Sequence, residues 1–322
     1  MYTQILNLWY SKVAPQLENK KSKSLIHPFV VKGHKGLTIN PYQGCQHRCG
    51  YCYATYQWSP EFYDKVYAKS NAAEVLEDQL KSWKSEIIDP VMISSATDAY
   101  QPIELKYGLT RKCIQVLKKY GIPYYVFTKS TIISRDLELH KQYKNNCFVV
   151  WSITTCNEKI RRLTEPGTPP ADAMFSVMKK FTENGICCGV NIDPILPLIT
   201  DSPNHIEDIL GRCYNSGVHY VSGAILRLRS DIWERMKTIL NLLKIKDAIN
   251  EYKRIFQFAE PLNANYNIAA NQSYSNEILN NLRQRILSRR MVFDFPDMIR
   301  SRTVVRNNAS TTPNQLTLVD YM

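Results

Sequence analysis

Short apolar runs alternate with helical patterns along most of this chain, and that rhythm narrows what it can fold into. The runs at 37–40, 91–95, 124–128, 148–153, 187–192 and 220–225 are rich in Val, Ile and Tyr and short enough for strands. Between them, apolar spacing predicts helices over 72–87, 110–120, 135–143, 172–184 and 204–216. Three of these helices end just before a glycine that opens the next strand, at Tyr120-Gly121, Asn184-Gly185 and Ser216-Gly217. A glycine there supplies the left-handed residue that closes a helix. Repeated strand–helix units imply a parallel sheet, because the chain must cross back before each new strand. Six units predict an α/β fold, an open partial (β/α)6 barrel rather than a closed eight-unit one. On such folds the working residues follow the strands, at their C-terminal ends. Beyond 230 the pattern changes to a helix over 232–252, an Asn-rich stretch and a basic helix near 276–290. The expected organisation is a basic segment at 1–36, a core at 37–230, a helical basic region at 231–306 and a flexible tail at 307–322.

The chain has 322 residues, 44% of them hydrophobic, enough for one domain with appended pieces. No apolar run reaches the roughly 18 residues of a transmembrane helix, so no membrane partner is expected. The first residues lack a basic start followed by an apolar stretch, so no signal peptide is expected. The expected location is cytoplasmic, where thiols stay reduced. The nine cysteines therefore read as thiols rather than disulfides. Those at 113, 147, 156, 187, 188 and 213 are scattered and suit small buried hydrophobes. The other three crowd into eight residues.

Net charge is +12 and sits mostly at the ends. Residues 1–36 hold six Lys against Glu18, and residues 283–306 hold seven Arg against Asp294 and Asp297. Charge so concentrated suggests an anionic partner, DNA or RNA first, with solvated surface as the plainer alternative.

The crowded cysteines lie in Asn40-Pro41-Tyr42-Gln43-Gly44-Cys45-Gln46-His47-Arg48-Cys49-Gly50-Tyr51-Cys52-Tyr53, directly after the first expected strand. The spacing is C-x3-C-x2-C. Three thiolates on one loop can each ligate one iron of a cubane cluster and leave the fourth iron open, as a reactive centre requires. A structural zinc site, with His47 as fourth ligand, is the alternative.

C-x3-C-x2-C with an aromatic before the last cysteine resembles the signature loop of the radical S-adenosylmethionine (SAM) superfamily. With the alternation counted, the likeness covers roughly 36–230. It implies a partial (β/α)6 barrel of the radical SAM type with a C-terminal helical extension. It implies a [4Fe–4S] cluster on Cys45, Cys49 and Cys52, and SAM chelated at the open iron. Reductive cleavage of SAM then yields a 5′-deoxyadenosyl radical that takes a hydrogen atom from the substrate. Asn-Pro-Tyr-Gln-Gly before the cluster, Cys-Tyr-Ala at its end, the segment from Ala96 to Glu104, and Arg162-Leu163-Thr164-Glu165-Pro166-Gly167 resemble the spore photoproduct lyase-like branch, often labelled DNA repair photolyase-related.

By that likeness, residues 94–98, with Ser95 and Asp98, stand where the family binds the SAM amino group. Tyr51 would flank the adenine. Thr128 and Lys129 end the third strand. Ser152, with Thr154, would meet the SAM ribose or carboxylate. Glu165 lies in the loop beyond, and Asn191 ends the fifth strand. Tyr53 matches the lyase pattern. Lyases carry a cysteine just after the second strand, whereas this chain reads Ser94-Ser95-Ala96-Thr97-Asp98. Cys156, past the fourth strand, is the candidate substitute hydrogen-atom donor. Each of these loop-end residues also has a plainer reading as a helix cap, turn former or ordinary thiol.

The function expected is a radical SAM enzyme that repairs or modifies a nucleic-acid base, served by a flavodoxin- or ferredoxin-type reductant. One alternative is a radical SAM enzyme on a peptide or small molecule. Another is a non-catalytic iron–sulfur protein that binds nucleic acid. The end of the chain, from Gln315 to Met322, resembles a sliding-clamp-binding peptide.

Overall fold

The structure, a computed structural model, describes residues 15–31, 34–55, 61–85 and 87–304. The clamp-like peptide at 315–322 and the tail at 307–322 lie outside the described residues, as do residues 1–14. Six strands lie side by side in chain order, each parallel to the next: β1 (His34–Ile39), β2 (Val91–Ile93), β3 (Tyr124–Thr128), β4 (Cys147–Ser152), β5 (Cys188–Ile195) and β6 (Tyr220–Ile225). The crossovers carry helices α1 (Ala72–Lys81), α2 (Leu109–Lys119), α3 (Leu137–Lys141), α4 (Ala171–Glu183) and α5 (Pro203–Asn215). The sheet stays open: Ile26–Val31 pairs antiparallel with β1 at one edge, and Val292–Phe293 pairs parallel with β6 at the other.

Gly121, Gly185 and Gly217 sit at φ near +70°, the left-handed residues that the sequence places after three helices. The helix expected over 72–87 stops at Lys81. There the Ser82 hydroxyl donates to the Asp78 carbonyl at 2.9 Å and competes with the backbone ladder. The helix expected over 135–143 is a 3-10 turn (Ile132–Asp136) followed by α3.

Strand alternation divides the residues between two layers. Tyr124, Val126, Val149, Trp151, Val190 and Val221 pack against the helices in the main core. Their neighbours Tyr125, Phe148 and Val150 turn to the barrel's inside and meet Phe295, Met298 and Ile299. The chain around 291–304 thus plugs the lower end of the barrel, and Thr303–Val304 pairs with Ile87–Ile88 just before β2. Helix α6 (Gln272–Ser288), followed by Val292–Phe293, adds a seventh parallel unit beyond the boundary expected at 230. Gly223 lets this helix approach, since a Cβ there would lie 2.6 Å from Leu282 Cδ2. The basic block also finds internal partners. Arg285 and Arg289 reach Glu207, Arg300 reaches Asp294 at 2.8 Å, and Arg302 reaches Asp89 at 2.9 Å. Two further helices, Ser230–Leu243 and Ala248–Phe256, form a second core around Trp233 and Tyr252 that takes in Cys49 and Tyr51. Among the described residues no helix is long and apolar enough to cross a membrane.

Candidate radical-chemistry site

The cysteine loop leaves β1 at the C-terminal mouth of the barrel. Gly44 starts it at φ +81°, where a side chain would be strained and a Cβ would meet the Lys65 carbonyl oxygen at 2.2 Å. The loop is then held from the barrel side by the ends of β2, β3 and β4. Thr97 Oγ1 and Gln101 Nε2 donate to the Gly44 carbonyl at 2.6 and 3.1 Å. Gln46 exchanges two bonds with this segment, from its N–H to Gln101 Oε1 at 2.9 Å and from the Ile103 N–H to its own Oε1 at 2.6 Å. Buried Glu104 anchors the segment, accepting from the Tyr42 hydroxyl, the Thr110 N–H (3.0 Å) and Arg135 (2.7 Å).

Asp98 is buried and its oxygens are occupied. Oδ1 accepts from the Tyr100 N–H and the Thr128 hydroxyl, both at 2.8 Å, and Oδ2 accepts from the Lys129 N–H at 2.7 Å. His47 Nε2 lies 3.2 Å from Oδ2, off the hydrogen-bond axis. His47 Nδ1 is 2.9 Å from the Gly167 carbonyl, which only accepts, so Nδ1 carries a proton. Burial works to lower the His47 pKa, but Asp98 overrides this and the net shift is upward. For Asp98, burial works upward, and His47 with the Lys129 and Tyr100 amides brings the carboxyl below its usual range.

Lys129 and Glu165 form a second buried pair, 3.0 Å apart. Lys129 Nζ also donates to the Ser152 carbonyl at 3.1 Å and lies 5.5 Å from the Tyr51 ring centroid. The Tyr51 hydroxyl donates to Glu165 and lies 3.0 Å from Thr154 Oγ1. Burial would raise the Glu165 pKa, but Lys129, Thr154 and Tyr51 bring it down. The Glu165 turn grips the loop through the backbone as well, from the Gly50 N–H to the Thr164 carbonyl (2.8 Å) and from the Gly167 N–H to the His47 carbonyl (3.0 Å). A Cβ on Gly167 would sit 2.3 Å from the Gln46 oxygen.

The opposite side is held by helix Ser230–Leu243 and the residue before it. Arg235 Nε donates to the Gly50 carbonyl at 2.7 Å, and its Nη2 donates to the Cys52 carbonyl at 3.2 Å. Arg229 Nη1 donates to the Tyr53 carbonyl at 3.3 Å. Asp231 pairs with Arg229 (2.6 Å) and Arg235 (3.0 Å), and Thr55 Oγ1 lies 2.7 Å from its Oδ2.

Cys45, Cys49 and Cys52 are neighbours in this grip, close enough that Cys45 and Cys49 each feel the charge of Cys52. Among the described residues no three His, Cys, Asp or Glu side chains converge on a single ion. A cubane asks for a looser set, with one thiolate for each of three irons. Burial pushes the Cys45 and Cys52 thiols up, and the backbone N–H groups of His47 and Asp98 near Cys45, and of Ala54 and Thr55 near Cys52, work to lower them, an environment that suits a cluster's sulfur ligands. Ser94 follows β2 with φ +66°, buried, and with no partner for its hydroxyl. A strained residue with an orphaned polar atom at a strand end suits a polar ligand. Ser152 and Asn191 stand opposite each other on β4 and β5, with Ser222 next on β6. Ser95 Oγ accepts from Thr38 Oγ1 (2.9 Å) and Asn40 Nδ2 (3.2 Å). Tyr53 is half exposed at the mouth, and its hydroxyl donates to the Ser95 carbonyl.

One expected residue falls elsewhere. Cys156 packs on the main core under the helices, where its thiol feels Asp208, Arg212 and Asp172 on α5 and α4 and burial pushes it up to about 12. The chain past β4 turns over the sheet before it reaches Cys156, so the side chain faces the helical layer and not the mouth. Sequence reasoning assigned no site role to Arg229, Asp231 and Arg235. Their partners lie far away in sequence, and nothing in a helical i, i+4 ion pair distinguishes it from a solvated face.

A cysteine loop at the mouth of a partial parallel barrel defines a class of radical enzymes, and the comparisons agree. Residues 39–213, more than half the chain, match the family model of the Radical SAM superfamily. The chain belongs to this superfamily, whose enzymes use a [4Fe–4S] cluster and SAM and need a reductant. An uncharacterized protein of Mycobacterium tuberculosis is 32% identical over 203 residues, 60% of this chain and 59% of its own length. The chain thus spans less than two thirds of that relative. An uncharacterized protein of Methanocaldococcus jannaschii is 32% identical over 191 residues, 59% of this chain and 70% of its own. Among solved structures, a spore photoproduct lyase mutant with bound AdoMet and dinucleoside spore photoproduct aligns with TM-score 0.64 at 15% identity, over 84% of this chain and 78% of that one. The likeness is one of fold.

Proposed function

We propose that this chain is a radical SAM enzyme acting on nucleic acid, with its cluster held by Cys45, Cys49 and Cys52. The observation that carries the reading is the cysteine loop itself, fixed at the barrel mouth from two sides by Thr97, Gln101 and Gln46 and by Arg235. When bound and reduced, the cluster supplies the electron that cleaves SAM to methionine and a 5′-deoxyadenosyl radical. The protein's share is to orient SAM and keep water from the radical.

Ser94, Ser95, Ser152 and Asn191 are the polar groups at the mouth proposed to contact SAM, with Tyr51 beside the adenine. Asp98 and Glu165 serve through the groups they fix, Asp98 through His47 and Thr128, Glu165 through Lys129 and Tyr51. Tyr53, at the rim, is the candidate for passing a hydrogen atom to or from the substrate. The nucleic-acid reading is supported by the fold shared with a lyase whose structure holds a dinucleoside lesion, and by the net charge of +12. A flavodoxin- or ferredoxin-type protein is the proposed reductant. The peptide at 315–322 is a proposed sliding-clamp ligand, to be dropped if deleting it leaves clamp co-purification unchanged.

The test is an anaerobic assay for 5′-deoxyadenosine, with and without UV-irradiated DNA. Stimulation by DNA that fades steeply with salt is expected, because phosphate contacts release counterions. SAM cleavage indifferent to DNA and RNA would favour a peptide or small-molecule substrate, and no cleavage at all would favour a non-catalytic binding protein.

A further inference from the structure

We propose that the Asn-rich loop at 262–270 is a stacking platform for an unpaired base of a single-stranded nucleic acid, with Tyr266 as its face and Asn265 and Asn267 at its edge. The inference rests on the nucleic-acid reading above and deepens it, by naming where and in what form the strand is held. The loop is anchored along its length. Just before it, the Glu260 carboxylate accepts from Trp233 Nε1 at 2.8 Å. The Ala264 carbonyl accepts from the Ser230 N–H at 2.9 Å, and Ile268 exchanges both backbone bonds with Leu228, at 2.7 and 2.9 Å. Leu262 and Ala264 are buried in the core that takes in Cys49 and Tyr51, and Ile268 packs against it. The anchors Leu228 and Ser230 flank Arg229, which bonds the Tyr53 carbonyl. The loop therefore stands at the barrel mouth, beside the cysteine loop.

What the anchors leave outside points to a ligand. Tyr266 is 68% exposed on a backbone held to either side of it. The asparagines divide by role. Asn271 caps α6, its Oδ1 accepting from the Tyr274 N–H and its Nδ2 donating to the Ile255 carbonyl, both at 3.0 Å. Asn263, Asn265 and Asn267 are exposed and bond no described residue, so they do not hold the loop's own turns. Arg227, next to the Leu228 anchor, is also exposed and pairs with no described residue. An aromatic face stacks on any base that has left its own stack. A side-chain amide offers a donor and an acceptor together, as a base edge does. A guanidinium meets phosphate. Carried on one loop and its anchor, these groups match the parts of one unpaired nucleotide. A duplex keeps its base faces covered, so the form that fits is a single strand or a locally opened one.

The test uses the full chain, reconstituted anaerobically, with iron assayed. It is titrated against a fluorescein-labelled single-stranded DNA oligonucleotide and against the same strand in duplex, and binding is followed by anisotropy. Tyr266→Ala should weaken single-strand binding about tenfold and duplex binding less. Tyr266→Trp, which keeps a ring, should hold wild-type affinity, while Tyr266→Leu, which keeps only bulk, should not. Arg227→Gln should weaken binding and reduce the slope of log affinity against log salt by about 1. Single-strand affinity unchanged in Tyr266→Ala or Tyr266→Leu, an equal loss on duplex, or a wild type that binds duplex alone overturns the proposal and leaves the nucleic-acid reading standing. A wild type that binds neither form overturns that reading, and the platform with it.

Discussion

The cysteine loop is gripped from two sides by different chemistry. The barrel side uses many short bonds from the segments that follow the strands, with the buried Lys129–Glu165 pair and His47 set against Asp98. The helix side holds it with guanidinium bonds from one short stretch of chain, Arg229 to Arg235, with Asp231 between them. The difference teaches how one loop is fixed by two kinds of neighbour: residues that follow the barrel strands reach it from within the sheet, and the C-terminal helix reaches its backbone carbonyls from outside the barrel.

Breaking the barrel-side grip should cost the most stability. Glu165→Gln strands the Lys129 ammonium in a buried site, at about 3–5 kcal/mol. Chemical denaturation of the anaerobic protein would measure it, and adding Lys129→Met should restore part of the loss. If Glu165→Gln costs under about 1 kcal/mol, the pair is solvated and the contrast between the sides weakens. Gly167→Ala tests the same side by steric pressure. Its Cβ would meet backbone atoms of Gln46 and His47, at about 1–3 kcal/mol in the same assay.

The helix side should be marked by its acid titration. Burial works to raise the Asp231 pKa, but Arg229, Thr55 and Arg235 hold it down at about 2. A depressed carboxyl stabilises the fold above its unfolded pKa, near 3.8, and loses that contribution as pH falls through about 2. The stability gap between wild type and Asp231→Asn should therefore be constant above about pH 4 and close as pH approaches 2. A gap that does not depend on pH in that window would mean the carboxylate is not held by the arginines. The smallest effect is expected from Cys156→Ala, which lies off both sides. Formation of 5′-deoxyadenosine and substrate turnover should match wild type, and a loss of turnover with SAM cleavage intact would return Cys156 to the list of hydrogen donors.

What the sequence revealed follows from the range of each signal. Strand runs and helix periodicity are local, and the glycines at 121, 185 and 217 mark helix ends through a conformation that other residues resist. The six barrel strands were legible for that reason. The seventh unit was not, because Val292–Phe293 is two residues long and its helix reads as a basic surface helix. The cysteine loop was legible from spacing alone. The roles of Asp98 and Glu165 were only half legible. Asp98 lies at a strand end expected to hold SAM and Glu165 in the loop beyond another, yet their oxygens are taken by Thr128, Lys129 and Tyr51, partners that sequence distance conceals. Cys156 packs against the main core rather than toward the mouth, because a strand end fixes where a loop begins but not which way its fourth side chain faces.

The most direct test is anaerobic iron uptake coupled to SAM cleavage, in wild type and in the Cys45→Ala/Cys49→Ala/Cys52→Ala variant. Wild type should bind iron at cluster stoichiometry and, once reduced, release 5′-deoxyadenosine and methionine, while the variant does neither. Zinc uptake by wild type in place of iron, or a variant that keeps its full cluster, would contradict the account.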